Sequence, residues 1–395
     1  MSMLTINAGS SSIRFAFYGP GSHPAKLEYG KIERIGQPGA AFEVNTAKGK
    51  EAQQIALDAG SFRSAVDSLL EWLESQPRFA EVSAVGHRIV HGMTHSQPAR
   101  VTPQLLGELK AAIPYDPEHL PQEIELIETL GRRFPRLVQV ACFDTAFHRT
   151  MPRVATILPI PRRYESQGVL RYGFHGLSYT FLLQELARLG DPAAERGRVI
   201  LAHLGNGASV AAVRDGRSID TSMAFTPAAG LPMSTRSGDL DPGVLNFLAR
   251  TEGRDASSLD KMVNHESGLL GISETSSDVR DLLSRENEDV RAAEAIDVFC
   301  YQTKKWIAAF AGALGGLDTL VFAGGIGENS APVRARICEG LQFFGVDLDE
   351  ARNREHAPLI SAGRASVRVI QTDEESVIAH MTAETLARPP QGADV

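Results

Sequence analysis

Two apolar runs, residues 4–6 and 13–18, are separated by the polar stretch Asn7-Ala8-Gly9-Ser10-Ser11-Ser12, a pattern that predicts a hairpin with a hydroxyl-rich turn. Phe62, Val66, Leu69, Leu70 and Leu73 then recur at helical spacing. Further strands are expected at 83–90, 137–142, 198–204, 209–213, 318–323 and 366–371, and helices near 102–113, 121–133, 177–189, 289–314, 331–342 and 375–387. This alternation predicts an α/β protein whose sheets are covered by helices. A second strand, Gly/Asn/Ser turn and strand at 200–213 repeats the design of the first hairpin about half a chain later. Such turns join many hairpins on their own. As a pair they suggest a duplicated fold with one hairpin per domain.

Composition narrows the picture. A chain of 395 residues exceeds what one core usually fills, so two domains are expected. The net charge of −8 supplies no general basic face, which argues against nucleic acid as the main partner. An anionic ligand must then be held by local arginines and backbone N–H groups. Cys142, Cys300 and Cys338 show neither CxxC nor zinc-like spacing. No apolar run reaches eighteen residues and no basic, signal-like start precedes Leu4, so a cytoplasmic protein without membrane contact is expected.

The glycine turns carry the candidate chemistry. Glycine lets backbone N–H groups approach a phosphate closely, and Ser or Asn adds neutral donors. Neither GxxxxGK[ST] nor GxGxxG after a strand occurs, so this is a phosphate site without a P-loop. At 321–330, VFAGGIGENS, a buried strand is expected to break into a turn at Gly324, Gly325, Ile326 and Gly327 before a helix near Ala331. Bare backbone there suits the sugar and base of a nucleotide.

The ordered motifs INAGSSSIRF, VGHRIVHG, FDTAFHRTMP, YGFHGLS, HLGNGAS, STRSGDLDP, FAGGIGENS and TDEES, spread from residue 6 to residue 376, resemble the acetate kinase family. The resemblance implies an α/β fold of two duplicated ribonuclease-H-like, actin-like ATPase domains with a nucleotide cleft between them. The expected boundaries are 1–147, with a C-terminal helix of about 378–395 packing back on it, and 148–377 as the nucleotide-binding domain. A hinge is expected near 144–152. The implied reaction is reversible, magnesium-dependent, in-line transfer of the γ-phosphoryl group of ATP to acetate, with manganese as an alternative metal. A homodimer is also implied.

Residue roles follow from the same resemblance. Asn7, Ser10, Ser12 and Arg14 line the phosphate end of the nucleotide site, where Arg14 stands at a position usually held by lysine. His203, Leu204, Gly205, Asn206 and Gly207 form the second phosphate turn. Asp278, Val279, Arg280, Gly324, Gly325, Ile326, Gly327 and Asn329 flank base and ribose. Asp278 also reads as a helix N-cap. Asp144, Arg88, Arg236 and His175 are the expected catalytic residues, and Glu374 with Asn7 the expected magnesium ligands. An ionised carboxylate acceptor needs no general base, so positioned cations are what the reaction requires.

Arg88, Val90, Phe174 and Pro227 are expected to bind the acid. Nearby, the family segment Ala-Pro-Leu-His-Asn-Pro is replaced by Ala112-Ile113-Pro114-Tyr115-Asp116-Pro117, and Leu-Glu-Gly by Ala228-Ala229-Gly230. One methylene is worth only about 1–3 kcal/mol of discrimination, so propionate and butyrate stay open beside acetate. A non-catalytic actin-like ATP switch is the alternative from a different class.

Overall fold

The computed structural model describes residues 2–9, 12–21, 24–36, 39–46, 53–55, 57 and 60–388. The chain divides into two compact units, Met1–Ala146 with Asp373–Val395, and Phe147–Thr372. The expected return boundary at 377 therefore moves to Thr372/Asp373. Its physical cause is the helix Glu374–Ala387, which starts at the Asp373 cap and packs as one rod on the first unit.

The first unit holds β1 (Ser2–Gly9), β2 (Ser12–Tyr18), β3 (Lys26–Glu33), β4 (Ala41–Thr46), β5 (Gln53–Ile55), β6 (Val82–Ile89), β7 (Ala99–Arg100) and β8 (Val138–Phe143). Their order in one sheet is β5-β4-β3-β2-β1-β6-β8-β7. The second unit holds β9 (Arg198–Leu204), β10 (Ala208–Arg214), β11 (Arg217–Thr221), β12 (Thr319–Ala323) and β13 (Ser366–Val369), ordered β11-β10-β9-β12-β13. The duplication is visible in the pairing. In each unit the first strand pairs antiparallel with the second and parallel with the fourth of a five-strand core, β3-β2-β1-β6-β8 in one and β11-β10-β9-β12-β13 in the other.

Alternation within β1 and β2 puts Leu4, Ile6, Ile13, Phe15 and Phe17 into a core capped by the helix Phe62–Ser75. Trp72 of that helix meets Phe15 at 5.2 Å and Phe42 at 5.6 Å between ring centroids. The opposite face takes the helix Glu374–Ala387, whose Ala379, Ala383 and Leu386 lie on Met3, Ala16, Tyr18 and Ala84. Small residues allow that close approach. β9 and β12 are buried almost throughout, which is why they read as unbroken apolar runs.

One local expectation is corrected. Gly324–Gly327 is no open turn: β12 ends at Ala323 and a short helix, Gly324–Asn329, follows at once. The Glu328 carboxylate accepts the Gly324 N–H at 2.9 Å and so closes the first turn. The next helix, Ala331–Cys338, ends earlier than 342.

Candidate active site

In the first unit, the carboxyl ends of three adjacent parallel strands carry the candidate residues, which is where open α/β sheets present ligands. Ile6 of β1 lies opposite His87 of β6, and Arg88 opposite Cys142 of β8. This register brings Asn7, Arg88 and Asp144, the residue after β8, to one edge. Arg88 Nε and Nη2 donate to Asp144 Oδ2 at 2.9 and 2.7 Å. Asp144 is completely buried, while the Arg88 side chain keeps 14% of its surface. Burial opposes the Arg88 charge, yet the carboxylates of Asp144, Glu374 and Glu123 hold its pKa above the ordinary value.

Asn7 Nδ2 donates to Glu374 Oε2 at 2.8 Å and to Glu375 Oε1 at 3.2 Å. Burial pushes the Glu374 carboxyl up; Arg88 pulls it down and Asp144 raises it again. Glu375 is raised in the same way, by burial and then by Glu374. Ser12 closes the hairpin opposite Gly9, and Arg14, exposed, pairs with Asn7 across the ladder. Ser10 lies outside the described residues.

In the second unit, His175 stands at φ +59°, ψ +24°, just before the helix Gly176–Arg188. Its Nδ1 is 2.9 Å from Ser209 Oγ on β10. The His203 ring, from β9, lies 4.3 Å away between centroids, and its Nδ1 is 2.8 Å from Ser178 Oγ. Arg236 Nη1 donates to the Pro227 carbonyl at 3.4 Å. A Cβ placed on Gly207 would sit 3.2 Å from His175 Nε2 and 3.6 Å from Arg236 Nη1. The imidazole edge and the guanidinium therefore converge on one bare stretch of backbone.

The glycine segments meet there too. Gly205 N–H donates to the Gly207 carbonyl at 3.0 Å, and a Cβ on Gly205 would lie 3.9 Å from the Gly325 nitrogen. A Cβ on Gly324 would press on the Leu204 carbonyl at 2.6 Å. Asn206 accepts from the Ser234 N–H at 3.2 Å, and Asn329 donates to the Gly325 carbonyl at 3.0 Å. Ile326 is half-buried and Gly327 buried. Asp278 does cap the helix Val279–Arg285, accepting the Arg280 N–H at 2.8 Å, and its carboxylate also binds the Arg280 guanidinium. The Arg280 hydrogen bond holds the Asp278 carboxyl below its usual range. Val279 is buried, as are Val90, Phe174 and Pro227.

Two supporting residues escaped the sequence reading. His148 Nε2 donates to the Phe174 carbonyl at 3.0 Å, and its Nδ1 lies 2.8 Å from Ser218 Oγ. Because a carbonyl can only accept, the ring proton sits on Nε2; burial pushes the pKa down to about 4, which keeps the ring neutral. Gly173, at φ +77°, makes room for this ring: a Cβ there would lie 2.6 Å from His148 Cδ2. Glu123 is the other, holding the Val90 N–H with both carboxyl oxygens at 3.1 and 3.2 Å. His148 stands inside a motif already singled out, whereas Glu123 had no signal beyond an acid at an apolar helix position.

Two sheets of one strand order, each ending in a cluster of polar turns, place the protein among actin-like, two-domain ATP-dependent phosphotransferases. The chain belongs to the acetokinase family, whose model matches residues 2–380. It is similar to an acetate kinase of Methylocella silvestris, 41% identical and aligned over 97% of this chain and 98% of that one. Among solved structures it is similar to acetate kinase of Porphyromonas gingivalis, with a TM-score of 0.85 and 35% identity over 98% of this chain and 99% of that one. It is likewise similar to a propionate kinase of Francisella tularensis, with a TM-score of 0.89 and 34% identity over 97% and 99%.

Proposed function

We propose that this chain is an acetate kinase: an acetate oxygen attacks the γ-phosphorus of ATP, the bond from that phosphorus to the β-bridging oxygen breaks, and acetyl phosphate and ADP form in one reversible in-line step. The observation that carries the reading is the convergence of His175 Nε2 and Arg236 Nη1 at Gly207, where no side chain intervenes. Donors fixed in advance around a transferring phosphoryl group are what this chemistry requires. Arg88, oriented by Asp144, takes the acceptor carboxylate and part of the developing charge. His175, oriented by Ser209, donates from Nε2 to a phosphoryl oxygen. No residue has to remove a proton from the nucleophile.

Asn7, Ser10, Ser12 and Arg14 serve the phosphates, together with His203 and the turn from Leu204 to Gly207. Asp278, Val279, Arg280 and the helix Gly324–Asn329 serve the nucleoside. Val90, Phe174 and Pro227 hold the methyl group. The donor set fits magnesium: the Glu374 carboxylate and the Asn7 amide are hard oxygen ligands, and the close acids Asp144, Glu374 and Glu375 favour a divalent charge. Held by Glu374 and Asn7, the metal would supply positive charge to offset that of the nucleotide phosphates.

Propionate kinase is the second reading. The observation in its favour is the replaced segment Ala112–Pro117, which contains the short turn Ile113–Tyr115 and a buried Asp116. The chain acts in the cytoplasm and forms a homodimer; the dimer reading is supported by the helices Pro242–Glu252 and Ala256–His265, which bury no residue and leave Phe247 56% exposed. Incubation with acetyl phosphate, ADP and magnesium tests the activity: ATP read by luciferase supports it, and no ATP above an enzyme-free blank overturns it.

A further inference from the structure

β6 pairs with β1 as far as His87 and with β8 as far as Ile89, which lies opposite Phe143. The next residue, Val90, has left the ladder, and no strand fixes its N–H. That N–H is held by Glu123, which projects from the separate helix Leu120–Arg133 and is itself 2% exposed. Both carboxyl oxygens lie within 3.2 Å of the Val90 nitrogen, so the bond is centred on the carboxyl group. Arg88 lies two residues back along the same backbone. Its positive charge is among the groups that act on Glu123, together with Asp116 and Asp144. Asp116, also 2% exposed, ends the segment that differs from the family pattern, and it binds His119 Nδ1 at 2.9 Å through Oδ1 while Oδ2 has no hydrogen-bond partner among the described residues. One buried acidic side chain thus holds the backbone at Val90, two residues past Arg88, where the sheet has released it.

We propose that Glu123 is a positioning and specificity-determining residue, fixing the Val90 wall of the acid site and with it the length of acyl chain that the site accepts. This rests on the acid-kinase reading above. Were Val90 held by the sheet, its position would be shared with every strand of the core. Held by a helix side chain, it can shift by tenths of an ångström without disturbing the sheet, and tenths of an ångström decide whether one more methylene fits. Removing the carboxyl leaves the Val90 N–H buried and unpaired, so the loop relaxes to find another acceptor and the wall recedes.

The test is the ratio of kcat/KM for acetate to that for propionate, with the KM for ATP measured alongside in the full-length enzyme. Production of either acyl phosphate by the unaltered enzyme establishes the activity first; its absence defeats the acid-kinase reading and not this one alone. In Glu123→Ala the acetate-to-propionate ratio falls about 10-fold, the order expected for one methylene, while the KM for ATP changes less than about 2-fold. Glu123→Gln, which keeps an oxygen acceptor in place, restores the ratio. Glu123→Asp withdraws the carboxyl by one methylene and moves the ratio in the alanine direction, which keeps the question open to test if the alanine variant does not fold. An unchanged ratio in Glu123→Ala and Glu123→Asp overturns the proposal. So does a loss in which both acids and ATP suffer alike, because that is the mark of a purely structural role.

Discussion

Arg88 directs two of its nitrogens, Nε and Nη2, onto a single oxygen of Asp144, and Nη1 has no hydrogen-bond partner among the described residues. The pair is an orienting device. Asp144, without exposed surface, fixes the plane of the guanidinium and leaves the two N–H groups of Nη1 for an anion.

Arg88→Ala is expected to lower kcat/KM for the acid about 10²–10³-fold, the range for removing one fixed donor from a developing charge. It also takes two hydrogen bonds from the buried Asp144 carboxylate, so a loss of stability is expected beside the loss of rate. Arg88→Lys keeps the charge without the fork and should recover stability more than rate. Steady-state kinetics beside urea unfolding separates the two effects.

Gly207→Ala is expected to lower kcat about 10²-fold with little change in Tm, because the new methyl group would stand 3.2 Å from His175 Nε2 and 3.6 Å from Arg236 Nη1. Gly107 in the helix Pro103–Ala112 has nothing within 4 Å of a Cβ and is the control. There alanine should stabilise by about 0.5–1 kcal/mol and leave kcat alone.

His148 gives a pH prediction. Its folded pKa of about 4 lies below the ordinary 6.5, so the unfolded chain takes up the proton first. The stability it contributes is complete above about pH 6.5 and is lost as pH falls toward 4. Compared with His148→Gln, the native protein should lose about 1.4 kcal/mol of its advantage per pH unit between about pH 6 and 4.5. Equal slopes for the two proteins in chemical denaturation would contradict a neutral, buried His148.

Glu374→Gln is expected to raise the magnesium concentration needed for half-maximal ADP-dependent thermal protection by about 10-fold or more. The same titration with Glu375→Gln should shift less. Equal shifts would make Glu375 an equal ligand.

The sheets and most long helices were legible because their burial follows one period. β9 is buried at five of its seven positions and spans the expected strand 198–204. The helices Pro242–Glu252 and Ala256–His265 were not read from the sequence, and neither buries a residue. β3 to β5 were missed because they lie toward the edge of the sheet, and their half-exposed positions blur the alternation. Arg88, Asp144, His175 and Arg236 were legible through the family resemblance, since each stands in one of its ordered motifs, VGHRIVHG, FDTAFHRTMP, YGFHGLS and STRSGDLDP. Glu123 and His148 were not, because what makes each matter is a backbone group brought to it by tertiary packing, Val90 N–H in one case and the Phe174 carbonyl in the other.

The most direct measurement is phosphoryl transfer from ATP, with magnesium, to formate, acetate, propionate and butyrate, trapping the acyl phosphate with hydroxylamine and running Arg88→Ala beside the unaltered enzyme. The expected result is the highest kcat/KM for acetate, lost in the variant. No hydroxamate from any of the four acids, from enzyme that still binds ATP, would contradict the account.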